Sequence, residues 1–506
     1  MSTWDYKLYI DGTWSEGAEG NSIEVIDPAT EGVIGTAAEA TPKDAARAIE
    51  AARRAFDEGP WPWTKPAERA AALVRMAEVL ESRRAELRDL IVAQTGSTGF
   101  ITDAIQAGGS IGMFRSNAAQ AEHVVQWVEA SAPSGGPQGM SGSAIVREPV
   151  GVVGAITPFN FPFMLNVVKV APALAAGCSV VLKPHPWTPL DAFMIAEAAE
   201  ASGVPPGVFN VITGHGEVGE EMTNSPLIDM IAFTGSTVTG KRIMANGAAT
   251  MKRLQLELGG KSAQVVLDDV GEDYARAIGF GAVLVHCGQG CVLQTRLLLP
   301  ERLLDAYRDG VAAAAGLVTI GDPRDPATVL GPLIREQQRQ RVEGYVASGV
   351  EQGAELVTGG KRPPHLETGF YYEPTVFIGR NDMRIAQEEI FGPVLTVIPY
   401  SGSDEDAVRI ANDSVYGLGG GVVAAETSRA FNVARRIRAG NMTAQGVGTS
   451  AVEPGPGGGQ GPGWGEMMAG IGKSGAFGGF KQSGIGREWG HHGLEEFTEV
   501  KSIAWS

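Results

Sequence analysis

Cysteine is scarce in this chain, with only Cys178, Cys287 and Cys291 among 506 residues. Three thiols cannot supply a disulfide framework, and their spacing matches no zinc finger, so reduced thiols in a reducing compartment are expected. Histidine is sparse too. Seven residues offer no clear triad and no ligand set, so no metal centre is expected. Long hydrophobic runs are missing: stretches such as Val150–Ile156 and Ala277–Val285 fall far short of a membrane span. The start, Met1-Ser2-Thr3-Trp4-Asp5-Tyr6, has neither a basic region nor an apolar core, so no secretory signal is expected. Cations are outnumbered. A formal net charge of -17 argues against a nucleic-acid surface, which needs clustered Lys and Arg. These absences together lead to the expectation of a soluble, cytoplasmic protein.

What remains is ordinary globular composition, 43% hydrophobic and 20% charged, on a chain long enough for two or three packed units. Residues 42–58 and 66–95 carry apolar residues at helical spacing. Around Ala132–Ser143, Gly, Ser and Pro suggest a loop or an edge hairpin. Strands and helices then alternate: Val150–Ile156, helix Phe163–Ala176, Cys178–Leu182, helix Asp191–Ser202, Val208–Ile212. Solid apolar strands in such alternation predict a parallel sheet covered on both faces. A second block follows, with strands at Ala263–Leu267 and Thr295–Leu299 and helices at Tyr274–Val285 and Arg302–Ala315. Gln337–Gln352, Ala407–Asn412 and Arg429–Ala439 also read as helices, and Leu494–Ala504 as a strand. Residues 446–475, rich in Gly, Pro and Ser, read as a functional or partly disordered loop.

Several segments carry chemistry. Cys291 ends the run Cys287-Gly288-Gln289-Gly290-Cys291, and Glu257 opens Glu257-Leu258-Gly259-Gly260-Lys261. A thiolate attacks a carbonyl, and a carboxylate then activates water to release the product. Asn160 stands between prolines in Thr157-Pro158-Phe159-Asn160-Phe161-Pro162, where a held amide suits an oxyanion. An Asn closing its own turn is the plainer reading of the same residues. Lys183-Pro184 ends a strand, where a cation reaches a ribose or phosphate, although a lone Lys is usually just solvated. Gly214-His215-Gly216-Glu217-Val218-Gly219 fits G-x-G-x-x-G but lacks the acid that completes a dinucleotide fingerprint. Phe233-Thr234-Gly235-Ser236-Thr237 is the better phosphate candidate, a strand running into a helix N-terminus. In Glu388-Glu389-Ile390-Phe391-Gly392-Pro393 a carboxylate and a ring suit a ribose and a nicotinamide, or simply a strand edge before a turn. His286 beside the thiols gives no reason in sequence alone to be a partner of Cys291.

These motifs stand in one order with a last one, Phe477-Gly478-Gly479-Phe480-Lys481-Gln482-Ser483-Gly484. From about Tyr9 to Ile503 the chain closely resembles the NAD(P)-dependent aldehyde dehydrogenase superfamily. The resemblance implies an α/β fold: a Rossmann-type cofactor domain (1–125 and 150–259), an α/β catalytic domain (260–489) and a small β bridging unit (126–149 and 490–506). It implies that Cys291 forms a thiohemiacetal whose oxyanion is held by Asn160 and the Cys291 backbone N–H. Glu257 then serves as general base on the thioester. Thr157, Pro158, Phe159, Lys183, Gly216, Gly235, Ser236, Leu258, Gly259, Glu389 and Phe391 are the implied cofactor-binding residues. A homodimer or homotetramer is implied as well.

The chain departs from the family pattern at two places. Phe159 replaces the usual Trp before the motif Asn. Pro186 stands where the family often carries a Glu for the ribose hydroxyls, which leaves NADP open beside the favoured NAD. Family-matched pocket positions Phe161, Leu165, Val168, Val285, Gly290 and Val292 are apolar or small, with Trp464, Met467 and Met468 at the mouth. No Lys or Arg among them could pair with a second carboxylate, so a hydrophobic aldehyde (aliphatic, aromatic or terpenoid) is expected. A CoA-acylating semialdehyde dehydrogenase and a non-catalytic paralogue are the rival readings. The presence of Glu257, Cys291 and Asn160 weighs against both.

Overall fold

The structure, a computed structural model, describes residues 4–137, 139–448 and 475–505. Val152–Ile156, Ser179–Lys183, Phe209–Val211, Met230–Thr234 and Arg253–Glu257 form the parallel centre of an eight-stranded sheet. Across the sheet they run 253–257, 230–234, 152–156, 179–183, 209–211, so the order reverses beside Val152–Ile156. At such a reversal the loops leaving the carboxyl ends diverge and open a crevice. Ile156, Lys183, Thr234 and Glu257 are those ends. Antiparallel strands Leu8–Ile10 and Thr13–Ser15 close one edge. The short strand Gly484–Ile485 closes the other, returning from the far end of the chain.

Helix Pro162–Ala176 packs against this sheet, and every one of its residues is buried. It is apolar on nearly every side because it lies inside, Asn166 and Lys169 excepted, with proline at its start and left-handed Gly177 at its end. Phe163, Val167 and Leu174 are wholly unexposed and each contribute about 1.5–3 kcal/mol by burial. The expected helix over 42–58 is Pro42–Asp57, started by a Thr41–Asp44 capping box. The stretch 66–95 is two helices, Pro66–Ser82 and Arg84–Thr95, parted at Arg83.

A second sheet of seven strands follows the order 355–358, 375–378, 394–400, 296–300, 263–266, 419–424, 441–446. All its pairs are parallel except the edge pair of Glu355–Thr358 with Thr375–Ile378. The continuous helix expected over Tyr274–Val285 is not formed. Its apolar spacing is helical, but the helix Glu272–Ile278 stops at Gly279 (φ +50°) and short 3₁₀ turns follow. Helix Arg429–Ala439 is likewise shorter, Thr427–Ala434.

The third sheet joins Gly139–Pro149 to Thr498–Trp505 and Val128–Ala130, with Ser134–Gly136 completing a hairpin on Gly139–Pro149. Val128, Met140, Ile145, Val500, Ile503 and Trp505 of this sheet are exposed. The bulk of the glycine-rich stretch 446–475, with Trp464, Met467 and Met468, lies outside the described residues. Among the described residues no helix is long and apolar enough to cross a membrane.

Candidate active site

A cleft of about 670 Å³ opens where the first sheet reverses its strand order. Thr157, Pro158, Phe159, Lys183, Gly216, Gly235 and Ser236 line it, so seven of the residues singled out in the sequence converge here. Ser236 caps the helix Thr237–Gly247 by accepting from the Thr239 N–H, which leaves the other first-turn N–H groups facing outward. That end attracts an anion. Burial lowers the Lys183 ammonium to about 8, with Glu217 opposing the shift, so it sits close to titration at neutral pH. Phe159, His185 and Trp187 pack edge-on or tilted with centroids 4.9–5.3 Å apart and form an aromatic wall. His185 stays neutral because burial, then Lys183, lowers it to about 3.

The other implied cofactor residues stand beside this cleft rather than on its walls. The Gly260 N–H donates to Glu389 Oε1 at 3.0 Å, which sets the carboxyl over the Gly259-Gly260 turn. Burial, opposed by that bond, raises Glu389 to about 7. Phe391 has φ +64° and meets Phe159 edge-on at 5.6 Å. Its strained turn is held from behind: Gln338 donates to the Phe391 carbonyl at 2.7 Å and Arg341 to the Glu389 carbonyl at 2.6 Å. Leu258 packs on Gly240 of the phosphate-side helix and ties its N–H to the Ser483 carbonyl at 2.9 Å.

Glu257, Asn160 and Cys291 come together by backbone contact. A Cβ at Gly260 would collide with the Cys291 carbonyl oxygen, so only glycine lets the thiol loop sit against the turn that follows Glu257. Asn160 Nδ2 donates to the Gln289 carbonyl at 2.9 Å, two residues before the thiol. An amide nitrogen carries two hydrogens, so one remains for an oxyanion. Ahead of the thiol, His286 and Cys287 hold left-handed φ values of +47° and +54°. Strain of this kind costs of order 1–3 kcal/mol per residue and persists only where surrounding structure imposes it. His286 is buried, its imidazole lowered to about 4, so it stays uncharged, with its ring edge-on to Phe161.

Cys291 is partly exposed. Burial pushes its thiol up, and the charges of Glu389, Glu257 and Glu488 push it further the same way. Glu257 is 2% exposed and is raised well above the carboxylate range by burial and then by Glu488. Lys169 and Arg487 pull it back. The sequence reading missed Lys169 and Glu488. They pair at 2.7 Å across 319 residues, a separation that carries no local signal.

Met164, Val168 and Pro172 of helix Pro162–Ala176 border a cavity of about 310 Å³. Its apolar wall includes Ile105, Met113, Met164, Val168 and Trp489, and among the described residues no charged one lines it. Phe161, Leu165, Val168 and Val285 of the expected pocket do cluster, joined by Ile101, Ile105, Met113 and Met164. Val292 belongs to a neighbouring cluster with Leu418 and Cys291. Trp489 touches both clusters and so connects the cavity to the thiol. The π-helical turn Thr102–Gly109 builds part of the wall, a distortion that helical spacing does not reveal. Among the described residues no metal-binding group is present.

A thiol, an amide and a carboxylate lie near one another where two largely parallel sheets supply their loops, an arrangement suited to covalent chemistry on a carbonyl. The family model for the aldehyde dehydrogenase family matches residues 14–469 and 462–503, and the chain belongs to that family. A Mycobacterium tuberculosis aldehyde dehydrogenase solved with NAD+ is 43% identical, with 99% of this chain and 98% of that one covered at a TM-score of 0.89. Aldehyde dehydrogenase C of Pseudomonas syringae, solved with NAD+ and octanal, is 39% identical with TM-score 0.87, over 98% and 96%. Betaine aldehyde dehydrogenase of Staphylococcus aureus, also solved with NAD+, is 35% identical with TM-score 0.89, over 98% and 94%.

Proposed function

We propose that the protein oxidises a hydrophobic aldehyde to its carboxylic acid with NAD, through a thioester on Cys291. The observation that carries this reading is the contact of Gly260 with the Cys291 carbonyl, which brings the thiol loop against the Glu257 turn. The Cys291 thiolate attacks the aldehyde carbon to give a thiohemiacetal. Its oxyanion takes the second Asn160 Nδ2 hydrogen and the Cys291 N–H, a donor arrangement worth roughly 3–4 kcal/mol per donor removed. After oxidation to the thioester, Glu257 accepts a proton from water, the hydroxide adds to the acyl carbon, and the thiolate leaves. Glu257 must be ionised for this. The positive Lys169 and Arg487 favour that form and Glu488 opposes it.

The cleft residues fit a dinucleotide. The helix capped by Ser236 suits pyrophosphate, Lys183 a ribose, and Glu389 with Phe391 the nicotinamide half. NAD, when bound, supplies the hydride acceptor. Three neighbours solved with NAD+ support that choice of cofactor. An uncharged wall of Ile105, Met113, Met164, Val168 and Trp489 supports an apolar substrate, as does octanal bound to the Pseudomonas syringae neighbour. Exposed apolar residues along the third sheet support self-association as a dimer or tetramer. The test is NAD reduction by a panel of aldehydes, with wild type and Cys291→Ala. Faster turnover of succinate semialdehyde than of long-chain aldehydes would refute the substrate assignment, and turnover by Cys291→Ala would refute the mechanism.

A further inference from the structure

We propose that Asp191 is a positioning residue for the dinucleotide, acting through Asn166 to fix which way the Thr157 hydroxyl points. The inference rests on the assignment of the large cleft to NAD. Four side chains form a buried chain leading to that cleft. Gln94 Nε2 donates to Asp191 Oδ2, Asn166 Nδ2 donates to Asp191 Oδ1 at 2.8 Å, and Thr157 Oγ1 donates to Asn166 Oδ1 at 2.6 Å. Gln94, Asn166 and Asp191 are wholly unexposed and Thr157 is 4% exposed. Thr157 lines the cleft, and its N–H donates to the Lys183 carbonyl at 3.1 Å, so the chain ends between two cleft walls.

The direction of each bond follows from the one beside it. A backbone N–H can only donate, and that of Leu190 donates to Gln94 Oε1 at 3.2 Å. Gln94 must therefore turn its Nε2 toward Asp191, whose Oδ2 accepts. The carboxylate accepts at both oxygens, so Asn166 must present its Nδ2 to it and its Oδ1 to Thr157. Thr157 must then spend its single hydrogen inward. Only lone pairs remain at that hydroxyl for a bound molecule. The matching group is a donor, such as a ribose hydroxyl or a carboxamide N–H.

Asp191 lies in the first turn of helix Leu190–Ala201, where the helix dipole favours an anion. Burial raises its carboxyl, and the bonds from Gln94 and Asn166 oppose that rise. With both oxygens facing amide hydrogens, a proton on either would meet another donor. Nothing in the assigned chemistry of Cys291, Glu257 and Asn160 uses this carboxylate, and a buried polar chain with its bonds made holds its groups in one arrangement.

Asp191→Asn tests the idea because it keeps the shape and reverses the chain. The new amide must aim its N–H₂ at Asn166 or Gln94, and Gln94 is pinned by Leu190. Asn166 then turns, Thr157 accepts, and its hydrogen enters the cleft. The expected result is roughly tenfold weaker NAD binding by calorimetry and a KM for NAD raised to match, with kcat much less affected. Thr157→Val should lose a similar factor and Thr157→Ser should bind as wild type. The double variant Asp191→Asn/Thr157→Val should be no weaker than Thr157→Val alone, since reversal has no consequence without the hydroxyl.

Unchanged NAD binding in Asp191→Asn, or losses that multiply in the double variant, would overturn the proposal. If Asp191→Asn does not fold, equal binding by Thr157→Val and Thr157→Ser would overturn it instead. Wild-type protein that binds neither NAD nor NADP overturns the functional reading, and this inference with it. Normal wild-type binding beside an unaffected Asp191→Asn overturns the inference alone.

Discussion

Lys169 and Glu488 form an ion pair of 2.7 Å with essentially no exposure on either side. The pair ties a fully buried helix to the segment that carries Trp489, and its carboxylate faces Glu257. Removing one member leaves the other as an uncompensated buried charge, which costs roughly 3–5 kcal/mol. Lys169→Met should therefore lower the thermal midpoint strongly. Replacing both residues, Lys169→Met with Glu488→Leu, should recover much of the loss. Thermal unfolding of the single and the double variant checks this, and a Lys169→Met protein as stable as wild type would contradict it.

The same pair bears on the pH dependence of turnover, Glu488 through both Cys291 and Glu257 and Lys169 through Glu257. Burial and three carboxylates raise the Cys291 thiol, so the thiolate fraction, and with it kcat/KM, should climb as pH rises above neutral. Glu488→Gln removes a negative charge beside both Cys291 and Glu257 and exposes them to Lys169, so it favours both ionised forms. The rising limb should move down by about one pH unit. Lys169→Met should move it up. Limbs that stay fixed in both variants would show that neither charge is felt.

Gly260 should tolerate nothing larger. Gly260→Ala pushes the Cys291 loop away from the Glu257 turn, and a displacement near 1 Å is enough to lower kcat by about a hundredfold. Gly344→Ala, on a helix with open space around it, is the control and should keep full activity. Comparable rates in the two variants would remove the contact from the mechanism.

Asn160→Ala should lower kcat by about 10²–10³. Binding of NAD should be little changed, because the amide bonds the Gln289 carbonyl and not the cleft wall. Single-turnover rates with saturating NAD measure this directly. A variant that keeps its rate would assign the oxyanion elsewhere.

Pro186 lines the cleft proposed to hold the dinucleotide and brings no charge to it. Pro186→Glu should weaken NADP by at least about tenfold through repulsion of the 2′-phosphate, and it should leave NAD equal or better. Kinetics with both cofactors decide the matter, and equal losses would show that the side chain points away from the ribose.

The parts of the site that sequence revealed are those written locally. Thr157 to Asn160, Lys183, Gly235-Ser236 and Glu257 to Gly260 each end or follow a strand, and the carboxyl ends of one parallel sheet share an edge. Their convergence was readable because a loop after a buried strand has only one place to go. Lys169 could not be read this way. It stands amid an apolar helix, and its partner lies 319 residues on. Gly279-Phe280-Gly281 interrupts a run whose apolar spacing is helical, and backbone freedom outweighs periodicity there. The cavity wall at Thr102–Gly109 was missed because a π-helical turn departs from the helical spacing that sequence reveals. Strands Thr375–Ile378, Val394–Tyr400 and Gly419–Ala424 are buried almost throughout, and short apolar runs of that kind do not declare their sheet neighbours.

Gly484–Ile485 completes the first sheet, and Glu488 neutralises a lysine set deep in the helix behind it. A nascent chain emerging from the ribosome thus holds an open sheet edge and an unpaired lysine until residues 484–488 are released. Early segments must wait, partly assembled, for residues translated hundreds of codons later. Such a species would be a natural client for chaperones, and it would make the protein sensitive to C-terminal truncation.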